Sequence, residues 1–182
     1  MTRLTEFLYE AAEVAAVALI GVFLLFTFAA RVAGVDGDSM LPTLEDGQAL
    51  VLTAGPREPE RGDIVVLSSN NGHRMPLVKR VIAVAGDEIG LVYGRVLVNS
   101  AEINEPYLPA GVMTYPASSG MAYPVRVPPG HVFVMGDNRG RSSDSRSDMV
   151  GFVRTDDILG KVLFRTKPFI RTDPFRFTYQ VK

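Results

Sequence analysis

Ser39 and Lys79 are the residues of this chain whose types could supply a nucleophile and its base. An isolated serine hydroxyl is almost wholly protonated at neutral pH, so it attacks a carbonyl only when a neighbour takes its proton. The chain has no cysteine, which excludes thiol catalysis, disulfides and Cys-ligated zinc together. Its two histidines, His73 and His131, stand far apart and in unrelated contexts, which argues against a metal site and leaves both poorly placed as the base. Lysine becomes the leading candidate.

Gly37 before Ser39 and Pro42 after it fit a turn that holds a side chain at a fixed angle. Read alone, such a serine is a cap or a turn former. Lys79 changes the reading. With a period of two, Lys79 shares a strand face with Leu77, Val81 and Ala83, while Arg80 falls with Val78, Ile82 and Val84. Both faces are otherwise apolar, so one of these cations faces burial. Burial disfavours the charged form, and a lysine brought from about 10.4 to near 8 has lost roughly 3 to 4 kcal/mol of differential solvation. The plain alternative is an edge strand whose amine snorkels to water, and periodicity alone leans slightly that way.

The elements that must position this pair begin with an uncharged apolar run from Val14 to Ala30, flanked by Ala11, Ala12, Val32 and Ala33. Its length is near the lower limit for spanning a membrane as a helix. Glu6, Glu10 and Glu13 precede it beside the single Arg3, unlike the basic start of a cleavable signal, so residues 1–33 read as an uncleaved anchor. Arg3 and Arg31 balance across it, and charge does not orient it. From Val35 the pattern becomes short β-rich pieces bounded by Gly, Pro, Asn and Asp: Ala49 to Leu52, Ile64 to Leu67, Leu77 to Val84, Leu91 to Tyr93, Arg95 to Val98 and His131 to Met135. Tyr93-Gly94 suggests a tight hairpin, with Asn99-Ser100 closing the next strand. Residues 34–182 are therefore expected as one mostly β domain, with a variable excursion at about 88–129 that is proline-rich from Pro106 to Pro129. Near the C-terminus Phe169, Phe175, Phe177 and Tyr179 alternate with Arg171, Arg176 and Lys182, which reads as an amphipathic strand, with a membrane-interface patch as the second reading. The 19 basic residues are scattered and the net charge is −1, so nucleic acid is not an expected partner.

At this point four blocks resemble the bacterial type I signal peptidases. They are Gly37-Asp38-Ser39-Met40-Leu41-Pro42-Thr43-Leu44, Arg61-Gly62-Asp63-Ile64-Val65, Val78-Lys79-Arg80-Val81-Ile82-Ala83-Val84-Ala85-Gly86-Asp87, and Gly136-Asp137-Asn138-Arg139 running on to Ser142-Ser143-Asp144-Ser145-Arg146. Asn104-Glu105-Pro106-Tyr107 and Ile158-Leu159-Gly160-Lys161 also look familial. Any one block is weak; all of them in order after a membrane segment are a strong signal.

The resemblance implies a signal-peptidase-type antiparallel β-sheet catalytic domain behind one N-terminal transmembrane helix, working as a membrane-bound serine endopeptidase without metal or cofactor. Ser39 would be the nucleophile, Lys79 the general base, and Ser142 the hydroxyl that orients the lysine amine. Asp144 with Arg146, and Asp137 with Arg80, would stiffen the site by ion pairing. Substrates would be signal-peptide-bearing preproteins, lying extended against the sheet with small residues at −1 and −3 in shallow pockets of Val35, Met40, Leu44, Leu77 and Val78; ordinary core packing is an equal reading for each of these singly. Membrane lipid would be the other partner, with the catalytic domain outside the cytoplasmic membrane; oligomeric state is not legible. Gly37 stands where some relatives add a serine hydroxyl to the oxyanion hole, which here would rest on the backbone N–H of Ser39 and on other backbone donors or water. Three other readings stay open: a specialised peptidase for pilin or conjugation proteins, a self-cleaving repressor-like Ser–Lys protein, and an inactive membrane-anchored β scaffold.

Overall fold

The computed structural model describes residues 3–28, 30–53, 58–165 and 170–171. Helix α1, Arg3–Phe28, opens the chain. Its apolar side chains stand in the open, with Phe7 65% and Leu19 71% exposed, and the stretch Thr5–Leu24 is long and apolar enough to cross a membrane. Helix gives way to sheet earlier than the boundary at residue 33: strand β1, Ala30–Gly34, pairs antiparallel with β2, Ala49–Thr53. Pairing with β2 satisfies the backbone of this apolar stretch, a long-range contact that hydropathy along the chain does not register.

The strands that follow are β3, Ile64–Leu67, and β4, Leu77–Val84; then β5, Glu88–Val92, β6, Arg95–Val98, and β7, Ala101–Glu102; then β8, Val125–Arg126, β9, His131–Met135, β10, Val153–Arg154, β11, Ile158–Arg165, and β12, Ile170–Arg171. The larger sheet runs β1-β2-β11-β3-β4-β9-β10, with β12 added on β11, and every described pairing is antiparallel. A smaller sheet, β7-β6-β5-β8, is built within the excursion. Tyr93 and Gly94, with φ of 49° and 78°, form the two-residue turn between β5 and β6, and Asn99 and Ser100, with φ of 53° and 66°, repeat it between β6 and β7. Strand β5 starts at Glu88 rather than Leu91, because Ile89 and Gly90 continue the hairpin against Val98 and Leu97 of β6, and Glu88 and Ile89 also pair with β8 from a distant part of the chain. Of the C-terminal aromatic pattern, Phe169, Phe175, Phe177 and Tyr179 lie outside the described residues.

Three apolar clusters hold the sheets together. One gathers Val35, Met40, Leu44, Leu50, Leu52, Ile64, Val66 and Val162 beneath the turn that carries Ser39. A second joins Val65, Leu67, Val81, Val132, Val134, Val153 and Ile158 across the larger sheet. The third packs the smaller sheet on the larger through Ile82, Ile89, Val98, Phe133, Met135 and their neighbours. Each fully buried Val, Leu or Ile contributes about 1.5 to 3 kcal/mol, so the site rests on a rigid floor.

Candidate active site

The turn that presents Ser39 is pinned at both ends. Val35 N–H donates to Gln48 O at 2.8 Å, and Gly47 N–H returns to Val35 O at 3.0 Å. Gly37 takes φ +93°, which disfavours a side chain, and its N–H donates to Asp46 Oδ1 at 2.8 Å. Leu41 N–H reaches Asp38 O and Leu44 N–H reaches Met40 O, closing one helical turn around the serine. Met40 and Leu44, 1% and 0% exposed, plug that turn into the core. Both fill the core, as does Val35 at 7% exposed, all three being on the list of residues expected to line the −1 and −3 pockets. The partly exposed members of that list are Leu77 and Val78, at the start of β4.

Lys79 lies on β4 directly across from Val65 of β3, and only 2% of it is exposed. Its Nζ donates to Ser39 Oγ at 2.7 Å. Desolvation by burial pushes the amine down to about 8, against the opposing pull of the Asp144 and Asp137 carboxylates and with some help from Arg146.

Arg80, the next residue, is equally buried but is fully engaged. It forms a fork with Asp137, Nε to Oδ1 at 2.9 Å and Nη2 to Oδ2 at 2.6 Å, and donates to Gly62 O at 2.9 Å. Its guanidinium lies 3.8 Å from the centre of the Tyr107 ring. Asp137 in turn accepts from Thr43 Oγ1 at 2.5 Å, which ties the serine turn to the lysine strand.

The loop from Gly136 to Arg146 wraps the serine. Asn138 N–H donates to Ser39 O at 3.0 Å and Asn138 Nδ2 to Asp38 O at 3.0 Å. Asp144 pairs with Arg146 through two contacts of 2.8 and 2.9 Å and accepts from Gly136 N–H at 3.0 Å. A Cβ at Gly136 would lie 2.2 Å from Ser142 Oγ and 2.5 Å from Ser39 O, so the absence of a side chain there lets the two serines approach. Ser142 is thus beside Ser39, yet it does not bond Lys79: its Oγ is buried without a hydrogen-bond partner among the described residues.

Sequence reasoning assigned no role to Thr43, Asn138, Glu105, Tyr107 or Arg139. Arg139 forks onto Glu105 at 3.1 and 2.5 Å and donates to Thr114 Oγ1 at 2.7 Å, and Tyr107 OH donates to Glu105 Oε1 at 2.6 Å. This group closes around the Arg80 side of the site. The Asn104-Glu105-Pro106-Tyr107 block was a signal for it, but nothing local says that Tyr107 would stack on Arg80.

A serine hydroxyl bonded to a buried amine that desolvation has pushed down to about 8 is the nucleophile–base arrangement of a Ser–Lys hydrolase. The chain belongs to the signal peptidase family, peptidase S26, whose family model matches residues 8–167. It is 39% identical over 170 residues to signal peptidase I of Bacillus caldolyticus, covering 85% of this chain and 87% of that protein. It is 37% identical over 176 residues to the probable signal peptidase I-1 of Synechocystis sp., covering 91% and 86%. The crystal structure of a signal peptidase I from Enterococcus faecalis V583 is 28% identical with a TM-score of 0.48, covering 59% of this chain and 98% of that one. Membership of this family decides against the repressor-like reading.

Proposed function

We propose that this chain is a membrane-anchored serine endopeptidase that removes signal peptides from exported preproteins, cutting after small residues at −1 and −3. The observation that carries the reading is the 2.7 Å contact between Lys79 Nζ and Ser39 Oγ at a buried site. Neutral Lys79 takes the hydroxyl proton as Ser39 Oγ attacks the carbonyl carbon before the cut. The negative charge that develops on the carbonyl oxygen is met by the backbone N–H of Ser39, which makes no other hydrogen bond among the described residues. The tetrahedral species collapses as Lys79 returns the proton to the leaving amine, leaving the acyl group on Ser39. Lys79 then takes a proton from water, whose oxygen attacks the ester carbonyl, and returns that proton to Ser39 Oγ as the acid leaves. Once Ser39 Oγ is an ester oxygen, the amine needs a new polar neighbour, and the unpartnered hydroxyl of Ser142 suits that task.

Strand β9 pairs with β4 only from Arg80 onward, so among the described residues Leu77 to Lys79 are paired on one side alone, by β3. An extended substrate can add to that edge, its −1 and −3 side chains sharing one face of the sheet, on the side where Val78 packs with Val35, Met40 and Leu44. Helix α1 would hold enzyme and substrate at one membrane face and raise their effective concentration, with the catalytic domain on the extracytoplasmic side. The test is cleavage of a detergent-solubilised preprotein by the wild type and by Ser39→Ala and Lys79→Ala. Loss of processing in both is expected, and undiminished cleavage by either variant sinks the dyad. Exchanging the −1 alanine of the preprotein for a bulky residue is expected to stop cleavage; unchanged turnover removes the small-residue rule.

A further inference from the structure

Ser142 Oγ is buried beside Ser39, and its own side chain makes no bond that would fix it there. The chain on either side is anchored: Arg141 N–H donates to Asn138 O at 3.0 Å, and Asp144 is held by Arg146 and by Gly136 N–H. Between these anchors, among the described residues, Ser142 and Ser143 make a single hydrogen bond, between Ser143 Oγ and His73 Nε2 at 2.7 Å. His73 is itself set by a built loop, residues 68–76, which joins β3 to β4. Ser68 N–H donates to Asp157 O at 2.7 Å, and Asn70 Nδ2 reaches the Asp157 carboxylate at 3.0 and 3.2 Å. Asn71 Nδ2 ties the two ends of the loop together through Ser68 O and Met75 O, at 2.7 and 2.8 Å, while its Oδ1 accepts from His73 N–H at 2.9 Å. Gly72 N–H donates to Met149 O at 2.9 Å, and a Cβ there would meet that oxygen at 2.2 Å. The loop is therefore seated at two points, Ser143 and Met149, on the segment that carries Ser142.

We infer that His73 is a positioning residue: through Ser143 it holds the Ser142 hydroxyl where Lys79 needs a polar neighbour once Ser39 is acylated. The assignment rests on the signal-peptidase reading, which gives Ser142 that task. Fixing the Ser143 side chain removes torsional freedom from the two residues that link Arg141 to Asp144. A hydroxyl oriented before the reaction costs no ordering when the amine calls on it. His73 is not a second base for the nucleophile, because Ser39 Oγ is bonded to Lys79 and His73 Nε2 to Ser143. Its ring nitrogen can donate to the Ser143 hydroxyl or accept from it, so either tautomer keeps the latch closed.

The experiment uses the full chain in detergent and a preprotein with alanine at −1, and measures kcat and KM for His73→Ala, Ser143→Ala, Ser142→Ala and their pairwise combinations. His73→Ala and Ser143→Ala are each expected to lower kcat by about three- to fivefold, the scale of one hydrogen bond, with KM within about twofold of the wild type. Combined, they are expected to cost no more than either alone, because both remove the same bond. On a Ser142→Ala background, His73→Ala is expected to change kcat by less than about twofold, since the hydroxyl it positions is gone. His73→Gln, whose amide nitrogen falls near the place of Nε2 and can donate to Ser143 Oγ, is expected to bring kcat back to within about twofold of the wild type. Where His73→Ala does not fold, Ser143→Ala breaks the bond by the smaller change and is read in the same way. Losses from His73→Ala and Ser142→Ala that multiply in full, an effect confined to KM, or no rescue by glutamine would each overturn the assignment. A wild type that cleaves no preprotein brings down the signal-peptidase reading as well; a wild type that cleaves, with His73→Ala and Ser143→Ala at its rate, brings down the latch alone.

Discussion

The two faces of β4 carry one buried cation each, and the protein treats them in opposite ways. Arg80 is matched by a carboxylate fork, a carbonyl and an aromatic face, so its charge is held. Lys79, with the same burial, has a neutral hydroxyl as its hydrogen-bonding partner, and its amine is pushed down to about 8. The difference follows from chemistry: a guanidinium cannot lose its proton in a protein and must be paired, whereas an ammonium can shed its proton when desolvated. One cation stabilises the site and the other is kept ready to act within it.

The largest expected effect tests the working cation. Ser39→Ala or Lys79→Ala should lower kcat by about a thousandfold or more, measured by preprotein cleavage. Arg80→Met tests the structural one. It leaves Asp137 buried without its counter-ion, and chemical denaturation should show a loss of about 3 to 5 kcal/mol. Lys79→Met should do the reverse. The folded amine titrates near 8 and the unfolded one near 10.5, so below pH 8 the folded state bears a buried charge that the unfolded state solvates freely. Stability of the wild type therefore rises between pH 8 and 10.5, and Lys79→Met should gain about 1 to 3 kcal/mol at pH 7, a gain that fades across that window. If both methionine variants are destabilised alike, the contrast between the two faces fails.

Smaller effects sharpen the same contrast. Because the neutral amine is the base, kcat/KM should fall about tenfold for each pH unit below 8 and level off above it; a rate that holds well below pH 6 would remove the need for a deprotonated Lys79. Ser142→Ala should lower kcat by about tenfold with little change in KM, as expected for one hydrogen bond needed only after acylation begins. Thr43→Val removes the hydroxyl bonded to Asp137 and should cost about 1 kcal/mol in stability.

Much of the fold could be read locally. The period-two pattern of Leu77 to Val84, the Tyr93-Gly94 hairpin and the apolar N-terminal run are features of neighbouring residues, and strand or turn chemistry follows from them directly. Misjudged elements depended on distant partners. Ala30–Gly34 becomes a strand through β2, and Glu88, at the start of β5, pairs with Arg126 of β8.

The sequence by itself determined that a serine sits in a constrained turn and that two adjacent cations fall on opposite apolar faces of one strand, because glycine, proline and alternation act over a few residues. Only the tertiary structure decided which cation is neutralised by pairing and which by losing its proton. That choice depends on Asp137, 57 residues beyond Arg80, and on the Ser39 turn, 40 residues before Lys79. Desolvation and ion pairing are properties of what surrounds a group in space, and chain order does not specify those surroundings until the sheet closes.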